Sequence, residues 1–233
     1  MNALAAALFT YGPYFALFGF VAARLHRWGI LHNRLLPAVR PVGAPAELAL
    51  VLGLVTLLTG HLTTAVAPGA MKALLADPDR TAVIETIGLV GALLFAWGVG
   101  ARLRARLRAA RAGEAGQWRA AAVLGVLFAM CLSGVALTVS YRWITVWYAY
   151  ISVPYLRSLL VLEPNVDAIV ASPLLSQLHM MLFMTFLAAW PTAGLPLDEI
   201  FPLRDVARRF ADAVPAASSD ASSDAGAGKV QAP

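Results

Sequence analysis

The two histidines that lie inside apolar stretches are the residues of this sequence best suited to chemistry. Of the four histidines, His26 and His32 fall in a basic segment, whereas His61 and His179 fall within long apolar runs. An ionisable side chain inside such a run is costly and marks a candidate functional site. A neutral imidazole there can bind a metal through one ring nitrogen. No third or fourth ligand of the kind that zinc needs accompanies the pair.

The spacing of these histidines predicts that both lie at one depth of a membrane. His61 precedes Pro68 by seven residues, and His179 follows Pro173 by six. In two antiparallel helices, a rise of 1.5 Å per residue would place both roughly 10 Å below the same end of the bundle. Imidazoles on facing helices can bind one haem iron from opposite sides. The spacing therefore favours a haem site, and an interhelical hydrogen bond from each histidine is the alternative.

Small residues beside the histidines fit either interpretation. Gly60 adjoins His61, and Gly53 lies two turns earlier. Such residues allow a flat macrocycle or a second helix to come close. Ser176, one turn before His179, is a candidate to orient the free ring nitrogen, as is a backbone carbonyl.

The elements that would position these residues are membrane-spanning helices. The chain is 60% hydrophobic and only 13% charged, and about 20 mostly apolar residues are needed to cross a hydrocarbon core of about 30 Å. We therefore predict an all-α, integral membrane five-helix bundle with spans at residues 4–23, 46–67, 81–100, 120–139 and 173–190. Residues 1–213 form one membrane domain, and residues 214–233, rich in Ala, Ser, Asp and Gly, form a disordered cytoplasmic tail.

The distribution of basic residues predicts the orientation of the bundle. The connections after the first and third spans are rich in arginine and poor in acids, whereas those after the second and fourth mix both signs. The positive-inside rule then places the N-terminus outside and the C-terminus inside, in the inner (cytoplasmic) membrane of the cell. The net charge of +5 needs no nucleic-acid partner, because contact with anionic lipid of the bilayer accounts for it.

Several short motifs together resemble the gamma subunit of respiratory nitrate reductases. They are Tyr11-Gly12-Pro13-Tyr14, Gly60-His61, the basic turn after the third span, and His179 followed by Trp190-Pro191. The resemblance runs from about residue 8 to residue 209. It implies a five-helix membrane cytochrome b that oxidises quinol and passes electrons to a molybdenum enzyme through iron–sulfur clusters.

The sequence departs from that family at one pair of positions. In the family, the second and fifth helices each carry two histidines, and the additional pair binds another haem nearer the inside. Val51 and the segment Gly194-Leu195-Pro196-Leu197 stand at those positions here, and neither can ligate iron. The resemblance therefore implies a single haem b, at the outer site.

The resemblance also suggests a quinol site beside that haem. Arg80 matches a basic residue near a haem propionate, and Gly60 adjoins the ligand His61. Glu85, one turn into the third span, could accept a proton from quinol. Arg142 begins an aromatic outer segment, residues 141–172, and could face a propionate. The alternatives are a headgroup-anchoring arginine, an interfacial glutamate and an aromatic belt.

We therefore predict a membrane-anchor subunit that oxidises quinol from the quinone pool and passes electrons through haem b to iron–sulfur and molybdenum-type catalytic subunits. No phosphate loop, cysteine cluster or activated nucleophile is present in the sequence, so no catalytic residue is predicted. A cofactor-free transporter or assembly module is the alternative. The sequence does not decide on which side the catalytic partner docks. The partner is either on the outer side or in a neighbouring membrane subunit, or it is on the inner side, where the arginines around Arg104 would suit it.

Overall fold

The computed structural model of the protein describes residues 3–29 and 42–200, and all the regular elements of these residues are helical. Five helices are long and apolar enough to cross a membrane, which confirms the predicted fold class. They are α1 (Ala3–Gly29), α2 (Ala44–Val66), α3 (Pro78–Arg111), α4 (Gln117–Ser140) and α5 (Leu174–Ala189). The predicted tail at residues 214–233 and His32 lie outside the described residues.

Four of the five long helices pack mainly on a neighbour in the chain. Helix α2 packs against α3, α3 against α4, and α4 against α5, while α1 packs against α5. Glycine allows the closest of these approaches: a Cβ at Gly98 of α3 would lie 2.5 Å from the Cβ of Leu50 in α2. Within the described residues, α2 and α5 do not pack along each other.

Local signals in the sequence explain where the helices begin and turn. The Asp77 carboxylate caps α3 by accepting hydrogen bonds from the backbone N–H groups of Asp79 and Arg80, at 2.9 and 3.0 Å, as expected of an N-cap residue. The turn between α3 and α4 needs two left-handed residues, and Gly113 and Gly116 supply them with φ of 84° and 79°.

Helix α3 is longer than the sequence predicts. Its 34 residues reach about 51 Å, well beyond a hydrocarbon core of about 30 Å. The arginine-rich stretch from Arg102 to Arg111, which we predicted as a connection, is therefore helix. The prediction failed because arginine is a good helix former, so the end of the apolar run did not mark the end of the helix.

The segment between α4 and α5 is built from short helices instead of an open loop. They are Ile144–Trp147, a π-helical turn Tyr148–Ser152, Val153–Leu160 and Asp167–Val170. Two hydrogen bonds join the segment to α1. The Tyr155 hydroxyl donates to the Phe9 carbonyl at 2.6 Å, and the Tyr14 hydroxyl donates to the Leu159 carbonyl at 3.0 Å. We call this side of the bundle the loop end.

Candidate functional site

His61 and His179 both lie near the loop end of the bundle. His61 is five residues before Val66, the last residue of α2, and His179 is five residues after Leu174, the first residue of α5. At 1.5 Å per residue, each is about 7.5 Å along its helix from that end. The two imidazoles are close enough to influence each other electrostatically.

The imidazole of His61 is largely exposed on the protein surface. Its Nδ1 lies 2.8 Å from the Leu57 carbonyl oxygen, one turn earlier in α2. The Tyr148 ring packs beside it, with ring centroids 5.0 Å apart and planes at 60°, and the Tyr148 hydroxyl donates to the His61 carbonyl at 3.4 Å. A Cβ on Gly60 would meet nothing within 4 Å, so the space beside this histidine is open.

The imidazole of His179 is half-buried against α4. Its Nδ1 lies 3.1 Å from the Met130 carbonyl oxygen and 2.9 Å from the Ser133 hydroxyl oxygen. A Cβ on Gly134 would stand 3.1 Å from the His179 Cε1, so the glycine makes room for the ring. Ser133, and not the predicted Ser176, is the hydroxyl that His179 contacts.

The hydrogen bonds determine which nitrogen of each ring remains for a ligand. A carbonyl oxygen can only accept a hydrogen bond, so Nδ1 must carry the proton in both His61 and His179. Nε2 of each neutral imidazole then keeps its lone pair, which is the tautomer that binds metal through Nε2. The two nitrogens belong to helices that do not pack along each other.

The donor set fits a haem. The described residues contain no group of three or more His, Cys, Asp or Glu side chains that could hold a metal ion. Haem iron takes four ligands from its own macrocycle and needs only two axial imidazoles from the protein. The position at Gly60 is open beside His61, whereas the His179 ring itself fills the space over Gly134.

Gly53 serves helix packing. A Cβ there would lie 2.4 Å from the Phe95 backbone nitrogen and 2.5 Å from the Gly91 carbonyl oxygen of α3. Approaches this short exclude any side chain larger than that of glycine. The packing alternative therefore accounts for Gly53, and we leave it out of the proposed site.

The residues predicted for quinol lie on separate elements near the loop end. Arg80 is exposed in the first turn of α3, beside a shallow apolar depression that Leu74 and Ile84 also line. Glu85 is half-buried and accepts a hydrogen bond at 3.1 Å from the backbone N–H of Thr145. Arg142 is exposed, with its guanidinium 5.5 Å from the centroid of the Trp143 ring. Among the described residues, no hydrogen bond or ion pair joins Arg80, Glu85 and Arg142.

Of the positions where the resemblance leads us to expect two further ligands, Val51 is 8% exposed, whereas the side chain of Leu197 lies outside the described residues. Leu195, in the same segment as Leu197, is 2% exposed. Leu195 belongs to the largest hydrophobic cluster, with Phe186 and Trp190, whose rings stack with centroids 5.5 Å apart. Side chains of the protein itself thus fill this part of the bundle.

Sequence reasoning missed Ser133, Gly134 and Tyr148 at the site. The Ser133-Gly134 pair did carry a signal, because a small polar residue beside glycine in the middle of an apolar span is a common device for close helix contact. Nothing in the sequence distinguishes Tyr148 from the many other aromatic residues near it in the chain.

The comparison with known families agrees with the membrane fold. The family described as nitrate reductase gamma subunit matches residues 46–204, which is more than half of the chain. No curated protein gives a significant match. The matched region includes α2 to α5 and therefore both intramembrane histidines. The chain belongs to the nitrate reductase gamma subunit family, which indicates a multi-pass membrane electron-transfer subunit of an oxidoreductase complex.

Proposed function

We propose that the protein holds one haem b between α2 and α5, with His61 and His179 as the axial ligands, and exchanges electrons with quinol at the loop end. The observation that carries this proposal is the tautomer of the two imidazoles, with the proton on Nδ1. Each bonds a backbone carbonyl through Nδ1, which leaves Nε2 to bind iron. Family membership supports a haem-containing electron-transfer subunit.

The residues around the histidines have separate tasks in this proposal. The haem iron, when bound, supplies a one-electron redox couple. Leu57 and Met130 fix the two imidazoles through their carbonyl oxygens. Gly60 leaves space beside His61, and Gly134 accommodates the His179 ring against α4.

We place the quinol beside His61, at the outer surface of the membrane. Tyr148 packs beside His61, and burial raises the pKa of its phenol and keeps it protonated. Its hydroxyl, which donates to the His61 carbonyl at 3.4 Å, would turn to donate a hydrogen bond to a quinone oxygen. Glu85 holds the neighbouring short helix at Thr145, and a carboxylate there can also accept a quinol proton. Arg80 and Arg142 are proposed to face haem propionates or the quinol oxygens.

Electrons would pass between the haem and catalytic subunits of iron–sulfur and molybdenum type. The proposed haem lies near the loop end, and apolar packing fills the region around Leu195. A partner at the loop end, or a cofactor in a neighbouring membrane subunit, would therefore give the shorter path. The exposed Arg104 and Arg108 near the other end of α3 suit the alternative, an anionic partner surface there.

We expect the purified protein to contain one haem b per chain. Among the described residues, one pair of histidines lies deep inside apolar spans, and Val51, where the resemblance leads us to expect a further ligand, is buried. Pyridine haemochrome absorbance divided by protein concentration measures the ratio. Two haems per polypeptide would contradict the single site. A chain that binds no haem would instead favour the cofactor-free transporter or assembly module.

We expect the variant Y148F to reduce haem with quinol several-fold more slowly than the wild type. The loss of one hydrogen bond to a bound oxygen costs about 1 kcal/mol, or roughly fivefold in affinity. R80A and E85A should slow the same step. Stopped-flow absorbance with quinol measures it, and complete reduction by dithionite shows that the haem site is intact. The matched control is Y150F, because Tyr150 lies in the same π-helical turn but packs under Lys72.

Unchanged quinol kinetics in the Y148F, R80A, E85A and R142A variants would exclude this face as the quinol site. A change in Y150F equal to that in Y148F would mean that the turn as a whole matters and that the Tyr148 hydroxyl has no specific role.

A further inference from the structure

The side chain that holds His179 in place comes from the neighbouring helix α4. We infer that Ser133 is the positioning residue of His179, and that its hydroxyl and the Met130 carbonyl together fix the ring as the Nδ1–H tautomer. The inference rests on the proposed function only in naming haem iron as the group that Nε2 would meet. It assigns a role to a residue one helix away from the ligand itself.

Three short distances define the arrangement. The Ser133 hydroxyl oxygen lies 2.8 Å from the Met130 carbonyl oxygen, and the Nδ1 of His179 lies 2.9 Å from the hydroxyl and 3.1 Å from the carbonyl. The three polar atoms thus form a triangle between α4 and α5. Ser133 is 7% exposed, so water cannot readily replace any side of it.

Only one arrangement of protons satisfies all three contacts. The Met130 oxygen has no proton, so it must accept from both the hydroxyl and Nδ1. The hydroxyl proton is then committed to Met130, and a lone pair of the Ser133 oxygen faces the Nδ1 proton. The opposite tautomer would set the lone pair of Nδ1 against that of the carbonyl at 3.1 Å. The triangle therefore selects the form of His179 whose Nε2 can bind a metal.

Gly134 adds a steric constraint to this polar one. A Cβ at residue 134 would stand 3.1 Å from Cε1 and 3.6 Å from Nδ1 of the imidazole. The ring therefore packs closely against the α4 backbone, next to the serine that bonds it. Hydrogen bonding and packing restrict the same ring, which leaves it little freedom to rotate.

The two histidines have different hydrogen-bond acceptors at Nδ1, and we expect this difference to affect the haem iron. His61 bonds a carbonyl of its own helix, whereas His179 has two acceptors on another helix. An acceptor at Nδ1 makes the imidazole a stronger donor to iron and stabilises the ferric state. Removing the Ser133 hydroxyl should therefore raise the haem reduction potential.

The test compares S133A with S176A in the full-length protein. Ser176 lies one turn before His179 in the same helix. S176A therefore removes the same hydroxyl group as S133A, within one helical turn of His179. In S133A we expect a higher haem midpoint potential and a changed EPR spectrum of the oxidised haem, with haem content retained. In S176A we expect both to equal those of the wild type. G134A should lower haem content, because the added methyl group displaces the ring.

A second measurement does not need the haem. The 15N chemical shifts of the histidine ring in haem-free protein report the tautomer, with the His179 signals assigned by their loss in H179Q. We expect Nδ1–H in the wild type, and in S133A a changed Nδ1 shift, because the Nδ1 proton keeps only the Met130 carbonyl as its acceptor. Identical 15N shifts, or an unchanged potential and EPR spectrum in S133A, would overturn the role of Ser133. Failure of the wild type to bind haem would overturn the proposed function alone, since the NMR comparison would still decide the role of Ser133.

Discussion

In the variants H61L and H179L, we expect the reducible haem signal to disappear while the protein still inserts into the membrane. Each histidine would supply one of two axial bonds, and leucine offers no donor in its place. The loss should be nearly complete, because a single remaining imidazole leaves the iron without its second protein ligand. Leucine is apolar and about the same size, so neither span loses hydrophobicity. Reduced-minus-oxidised absorbance of isolated membranes measures the haem.

The control for this experiment is H26L. His26 is exposed near the end of α1, outside the apolar part of the bundle, and its replacement should leave the spectrum unchanged. Immunodetection of each variant in membranes separates loss of haem from loss of protein. A full bis-imidazole spectrum in either H61L or H179L would show that the iron is bound elsewhere.

The five spans could be predicted because the length of an apolar run is a physical requirement of the bilayer. Each of the five predicted segments coincides with a long helix of the structure. The ends were harder to predict. Helix α3 continues to Arg111, since a helix outside the hydrocarbon core can be as polar as any soluble helix. The short helices at residues 144–170 depend on packing against α1, which no local pattern reveals.

The candidate ligands could be recognised from sequence because residue type and apolar surroundings single them out. The residues that contact these candidate ligands could not be recognised in this way. Ser133 contacts His179 across 46 residues of sequence, and only the packing of α4 on α5 decides that it, and not Ser176, faces the ring. Gly53 illustrates the reverse case, since a glycine near a candidate ligand turned out to face α3.

A buried ion pair at the end of the bundle away from the histidines was also beyond sequence reasoning. Arg106 is fully buried, and its guanidinium donates two hydrogen bonds to the Glu199 carboxylate and one, at 2.5 Å, to the Gln117 side-chain oxygen. Glu199 is itself 5% exposed. In sequence, Arg106 looked like one of several positive-inside arginines. In the structure, it joins α3 and the start of α4 to the short helix Leu197–Ile200 that follows α5.

In E199A we expect a large loss of stability, about 3–5 kcal/mol, because the Arg106 charge would stay buried without its partner. R106A should cost a similar amount. The matched control is R104A: Arg104 lies two residues away on the same helix but is exposed, so its loss should change stability by less than about 0.5 kcal/mol. Unfolding of the purified protein in mixed detergent micelles measures all three.

The double variant R106M/E199L distinguishes a buried ion pair from simple loss of contacts. Removing both charges leaves no unpaired charge, and the Gln117 oxygen loses only one donor. The double variant should therefore be more stable than either R106A or E199A, even though it lacks both native side chains. If the free-energy cost of the double variant equalled the sum of the costs at the two sites, the two side chains would have no coupling energy. The losses in E199A and R106A would then come only from lost packing contacts. A stable E199A protein would mean that Gln117 alone can satisfy the Arg106 charge, through the hydrogen bond that the two side chains share.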